Sequence, residues 1–157
     1  MRAQGFTLIE LLIVVAILGI IAAIGMPAVP DDTYDRLDNA QLQIENATDY
    51  ARSLARSQRQ AYGVKFDTAT DRFAVVDGTG SAVRDPLTKG DYVIDFERPD
   101  QPRGVAITSA AFGADDEAAM VFDGQGVPIE GGTVVLSCRG QARTLTFDAA
   151  TGRVSSP

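Results

Sequence analysis

The sequence predicts an α+β protein: a long N-terminal helix, transmembrane in its first half and amphipathic in its second, packed on a C-terminal antiparallel β domain. Three observations carry this. From Phe6 to Val29 the chain is apolar and holds one charge, Glu10. From Leu37 to Ala61 small and apolar residues recur at steps of three and four, the period of a helix with one buried stripe. After Gly63 the pattern becomes short runs of β-branched and aromatic residues between Gly, Asp and Pro turns, which reads as strands. The predicted segments are residues 1–5, a short lead; 6–29, an apolar helix; 30–62, its amphipathic continuation; and 63–157, a β-rich domain.

Composition narrows the function. A chain of 157 residues fits one modest domain with an attached segment. Its net charge of -7 makes it a poor general match for a polyanion, which calls for Lys and Arg. The absence of His removes the Ser-His-Asp triad, the Cys-His dyad and His-ligated zinc. Cys138 is the one cysteine, so no intramolecular disulfide can form.

Phe6 to Met26, as a helix at ~1.5 Å per residue, measures about 31 Å, the thickness of a bilayer's hydrocarbon core. Arg2 lies on one side of it and Asp31, Asp32 and Asp35 on the other, so the positive-inside rule places residues 1–5 in the cytoplasm and the rest outside. A cleaved secretory signal is the competing reading, with Ala22, Ala23 and Ala28 supplying small residues. The apolar run is too long and starts too early for that, and such a signal has no use for Glu10. A carboxylate in a membrane span costs about 2.5–3.5 kcal/mol on insertion scales. Glu10 either snorkels to the interface or meets a cation. Were the chain cut between Gly5 and Phe6, the new amino terminus would be that cation, most naturally across neighbouring staggered helices. Pro27 lacks an N–H and frees the Ala23 carbonyl, which predicts a kink; a membrane-exit kink followed by Pro30 explains it equally.

Pro30-Asp31-Asp32-Thr33 reads as a helix restart with acids in the first turn. The buried stripe is Leu37, Ala40, Ile44, Ala47, Ala51, Leu54, Gln58 and Ala61, and Gly63 ends the helix. Asp35, Arg36, Asp38, Glu45, Arg52, Arg56 and Arg59 lie mostly off the stripe. Strands are predicted at Val64–Phe66, Phe73–Val76, Tyr92–Phe96, Val105–Thr108, Ala119–Phe122, Thr133–Cys138 and Arg143–Phe147, the last two joined across Arg139-Gly140-Gln141. Gly78–Gly90 and Ala110–Ala118 are predicted loops.

Asp115-Asp116-Glu117 lacks the alternating ligands of an EF-hand and reads as a solvated acidic loop, so no metal site is expected. Asp67 and Asp71 flank a turn and are expected to cap it. Cys138 reads as a structural thiol. No acid pair or nucleophile–base pair stands out, so the chain reads as a non-enzyme without a cofactor.

Gly5-Phe6-Thr7-Leu8-Ile9-Glu10 followed by an apolar helix resembles the class III signal of type IV pilins and type II secretion pseudopilins. The resemblance implies residues 1–5 as a leader, cleavage between Gly5 and Phe6 by a prepilin peptidase, and N-methylation of Phe6. It also implies assembly roles for Glu10 and Pro27. The expected place is the inner membrane, single-pass, with the C-terminal domain extracytoplasmic, and then a filament of such subunits. The segments Phe122–Pro128, Gly132–Ser137 and Thr151–Val154 are similar to those of GspH/FimT-type minor pilins. That resemblance implies a subunit of a type II secretion pseudopilus or a type IV pilus. Some FimT-type members contact DNA through a closing Gly-Arg-any-Arg. Here the motif reads Gly152-Arg153-Val154-Ser155, so the second Arg is missing. Arg139, Arg143 and Arg153 are the candidate DNA contacts.

Overall fold

The computed structural model describes residues 7–24, 32–115 and 117–156. The chain divides into two units, Met1–Asp31 and Asp32–Pro157. In the first, helix α1 runs Leu8–Ile24. Its 17 residues measure about 26 Å, and no helix among the described residues is long and apolar enough to cross a membrane. The ends of the expected span, with Gly5, Phe6, Gly25 and Pro27, lie outside the described residues.

In the second unit, α2 spans Thr33–Gln58. Leu37, Ala40, Ile44, Ala47 and Ala51 are buried as the periodicity predicts. Beyond Ala51 the stripe turns: Ala55 is fully buried, Leu54 is only partly buried and Gln58 is exposed. The alanines let the helix lie close on the strands beneath. The helix ends earlier than predicted. Arg59 takes a left-handed conformation (φ 53) as the C-cap, whereas Gly63 sits inside the first strand. Its role there is close approach, since a Cβ at Gly63 would lie 2.3 Å from the Met120 carbonyl oxygen.

Among the described residues eight strands follow: β1 Tyr62–Asp67, β2 Arg72–Asp77, β3 Val93–Asp95, β4 Val105–Phe112, β5 Ala119–Phe122, β6 Gly132–Cys138, β7 Gln141–Phe147 and β8 Val154–Ser155. They form two antiparallel sheets, in the orders β3-β2-β1-β5 and β4-β6-β7-β8. Every predicted strand exists. Two differences have clear causes. β4 continues to Phe112 through a segment predicted as loop, because the register shifts between Ile107 and Ser109. The extra residue flips the phase: Val105 and Ile107 face the core before it and Phe112 after it, so alternation read from one side breaks at Thr108. β8 was not predicted. Asp148 accepts hydrogen bonds from the Ala150 and Thr151 backbone N–H groups and the Thr151 hydroxyl, and Gly152 (φ +65) then folds the tail back.

The core lies between α2 and the sheets. Phe66 of β1 stacks on Phe112 of β4 (centroids 5.8 Å apart), and Phe112 meets Phe147 of β7 edge-on at 5.0 Å, so aromatic rings join the two sheets. A polar link does the same. Asp67 caps the β1–β2 turn as expected, accepting from Ala69 N–H and the Thr70 hydroxyl. Asp71 does something else: it adopts φ 51, and its carboxylate accepts the Ile107 N–H at 2.8 Å.

Candidate assembly surfaces

In the first unit the candidate site is α1 itself. Thr7 to Ile21 are exposed, with Leu8, Ile9, Leu11, Val14 and Ile17 spread around the circumference. A helix apolar on all sides buries itself in something apolar, a bilayer or other helices. Glu10 is the acid of its first turn. Its N–H donates to the Thr7 carbonyl at 3.1 Å, so Thr7 starts the helix and the exposed Glu10 carboxylate stands one turn from the N-terminus, where negative charge is favoured.

In the second unit the three arginines that the sequence grouped each stand beside acids of α2. Arg139 and Arg143 lean onto the acidic start of α2. Arg139 Nη1 lies 3.2 Å from Asp32 Oδ1. Arg143 Nη1 pairs with Asp38 and donates to Gln41 Oε1 at 3.2 Å. Asp32 also takes Arg36 at 2.7 Å, and Arg36 Nη1 donates to the Arg103 carbonyl. The hydrogen bond from Arg36, aided by the charge of Arg139, holds the Asp32 carboxyl below its ordinary range. The sequence places Asp32 in the first turn, where it favours the helix dipole, and Asp38 off the buried stripe; their further role, docking the β6–β7 hairpin on α2, rests on pairs more than a hundred residues apart in sequence, which no local pattern reveals. Arg153 is exposed and lines a cleft with Glu45, Thr48 and Asp49, and Glu45 also lines the cleft beside Arg143.

Asp115 and Glu117 are exposed, Asp116 lies outside the described residues, and among the described residues no three His, Cys, Asp or Glu side chains gather as a metal site. Glu117 bridges to Phe112 through its backbone. Cys138 is buried at the end of β6, consistent with a packing thiol.

Comparison with known proteins adds five findings. Residues 1–26 match the prokaryotic N-terminal methylation motif, and residues 40–151 match the family described as type II transport protein GspH. A fimbrial protein of Moraxella nonliquefaciens is 37% identical over 79 residues, which are 50% of this chain and 51% of that protein; the chain thus spans about half the length of that relative. Among solved structures, the type IV minor pilin FimU of Pseudomonas aeruginosa is similar in fold, with a TM-score of 0.54 and 23% identity over 82% of this chain and 92% of that one. So is the minor pseudopilin EpsH of the Vibrio cholerae type 2 secretion system, with a TM-score of 0.55 and 13% identity over 78% of this chain and 96% of that one.

Proposed function

The chain belongs to the GspH family of type II transport proteins, and from that premise we propose that it is a minor pilin or pseudopilin, a structural subunit rather than an enzyme. In this reading it is made as a single-pass precursor in the inner membrane, with its C-terminal domain extracytoplasmic. A prepilin peptidase cuts between Gly5 and Phe6 and methylates the new amino group, and the subunit then joins other subunits in a type II secretion pseudopilus or a type IV pilus. The observation that carries this is the pairing on one chain of the methylation motif at residues 1–26 with the GspH match at residues 40–151. The exposed apolar surface of α1 supports it, because such a helix needs a bilayer before assembly and neighbouring helices after it. Glu10 then neutralises the amino group of Phe6, most naturally that of an adjacent subunit, and Pro27 loosens the helix.

The mass of the mature N-terminus tests the reading. A chain starting at N-methylated Phe6 is expected, and Gly5→Leu should leave an uncut precursor. A mature protein that keeps Met1 would reduce the chain to a membrane-anchored domain with no filament role. DNA contact by Arg139, Arg143 and Arg153 is not favoured: two of the three already bind carboxylates of α2, and the closing motif lacks its second Arg.

A further inference from the structure

The C-terminal end of α2 holds cations that the ion pairs at its other end do not use. Arg52 and Arg56 stand four residues apart on one side of the last turns of α2, and Arg59 follows as its C-cap and lines the same cleft as Arg56. The first two are fixed by the loop after β5. Arg52 Nε donates to the Gly126 carbonyl at 3.1 Å, and Arg56 Nε to the Gln125 carbonyl at 3.3 Å. Glycine is what lets that loop come so close. A Cβ at Gly126 (φ +73) would lie 2.5 Å from Arg56 Cγ, and one at Gly124 would lie 2.8 Å from the Arg59 carbonyl. Beside them opens a cleft of about 630 Å³ lined by Arg56, Arg59, Asp123, Gly124 and Gln125.

The hydrogen bonds of Arg52 and Arg56 use Nε, which leaves the Nη1/Nη2 edge, the fork that takes a carboxylate through two parallel bonds. Among the described residues no carboxylate forms an ion pair with Arg52, Arg56 or Arg59. Asp123 lies in the cleft, but its Oδ1 is engaged by the N–H groups of Gln125 and Val127, both at 2.9 Å. Cations at a helix C-terminus do complement the helix dipole, but that dipole end amounts to roughly half a negative charge, and even with the Asp123 carboxylate that lines the cleft the negative charge is less than three guanidiniums supply. A positive end therefore remains on a chain whose net charge is -7. That combination selects the partner. A long polyanion would be repelled by the rest of the molecule, whereas a short acidic segment meets only the local field.

We propose that this cleft docks an acidic segment of a neighbouring filament subunit, with the guanidiniums of Arg56 and Arg59 receiving its carboxylates and Arg52 adding charge. The proposal rests on the filament reading above. The test uses the full-length chain in cells that assemble the filament, with Gln125 replaced by a photo-crosslinking benzoylphenylalanine. The expected product joins Gln125's position to an Asp- or Glu-rich peptide of another subunit. Its yield should fall about tenfold in Arg56→Gln/Arg59→Gln, as loss of charge-assisted bonds implies, with N-terminal mass and the circular dichroism spectrum of the folded chain unchanged. Arg56→Lys/Arg59→Lys should restore part of it, because Lys keeps the charge without the fork. A crosslinked peptide lacking acids, a crosslink to nucleic acid, or equal yield in the Gln variant overturns the proposal. A wild-type chain that never enters filaments overturns the filament reading with it, whereas filament entry with equal yields strikes the cleft alone.

Discussion

Asp71→Ala should separate the two sheets energetically. The Asp71 carboxylate accepts the Ile107 N–H at 2.8 Å in a part-buried site, next to the register shift of β4. β4 is an edge strand of its sheet, so this N–H has its partner in the other sheet. Removing the acceptor leaves a shielded donor unpaired, which costs about 1–3 kcal/mol. Asp71 also holds φ 51, a conformation that Asp tolerates better than Ala, adding roughly 1 kcal/mol. The expected loss is about 2–4 kcal/mol, or about 8–16 °C in Tm at ~4 °C per kcal/mol for a unit of this size. Urea and thermal unfolding of the full chain in detergent, followed by circular dichroism, measure it. Asp71→Asn keeps an acceptor and the left-handed conformation, so it should lose less than half as much. A loss below about 0.5 kcal/mol for Asp71→Ala, or equal losses for Ala and Asn, would refute the link, because a hydrogen bond of this kind predicts both the size and the order.

Gly63→Ala places a Cβ 2.3 Å from the Met120 carbonyl, a backbone atom that cannot swing away, so a loss of about 2–3 kcal/mol in the same unfolding assay is expected. Glu10→Ala should leave membrane insertion and processing intact and reduce incorporation into filaments at least about tenfold, the scale of one lost charge pair; filament fractions equal to wild type would remove Glu10 from assembly. Hydrogen bonds from neighbouring Thr side chains and backbone N–H groups hold the carboxyls of Asp67, Asp77, Asp85 and Asp148 below their ordinary range of 3.8. The folded state therefore binds fewer protons than the unfolded one. The stabilisation is present above about pH 4 and disappears as pH falls through the lower folded values. Acid unfolding should accordingly begin below about pH 4, and Thr151→Val should make it begin earlier; an acid transition centred near neutrality would contradict this.

The Asp-Thr turns were close to legible, since Asp67, Asp85 and Asp148 each stand three residues before a Thr and accept its hydroxyl. The helix stripe was legible to Ala51 because a helix of constant pitch repeats its buried face. It failed at Ala55 and Gln58, where the sheets beneath α2 decide which side is covered. Gly63 was misread as a helix stop for a related reason. Glycine marks either a turn or a close approach, and the neighbour that sets the choice, Met120, is far along the chain. The bulge at Thr108 hid half of β4, because a one-residue insertion inverts the alternation on which strand reading depends.

The sequence by itself determined the apolar N-terminal helix with its single acid, the amphipathic helix after it, the α+β class and seven of the eight strands found among the described residues. These follow from local periodicity, which the backbone enforces wherever the chain folds. Only the tertiary structure decided that the strands form two sheets, that Asp71 ties them together, and that Arg139 and Arg143 dock on Asp32 and Asp38. It also decided that Arg52, Arg56 and Arg59 stand beside an open cleft, in ion pairs with no carboxylate among the described residues. A charge in sequence has no partner until folding brings distant segments within a few ångströms.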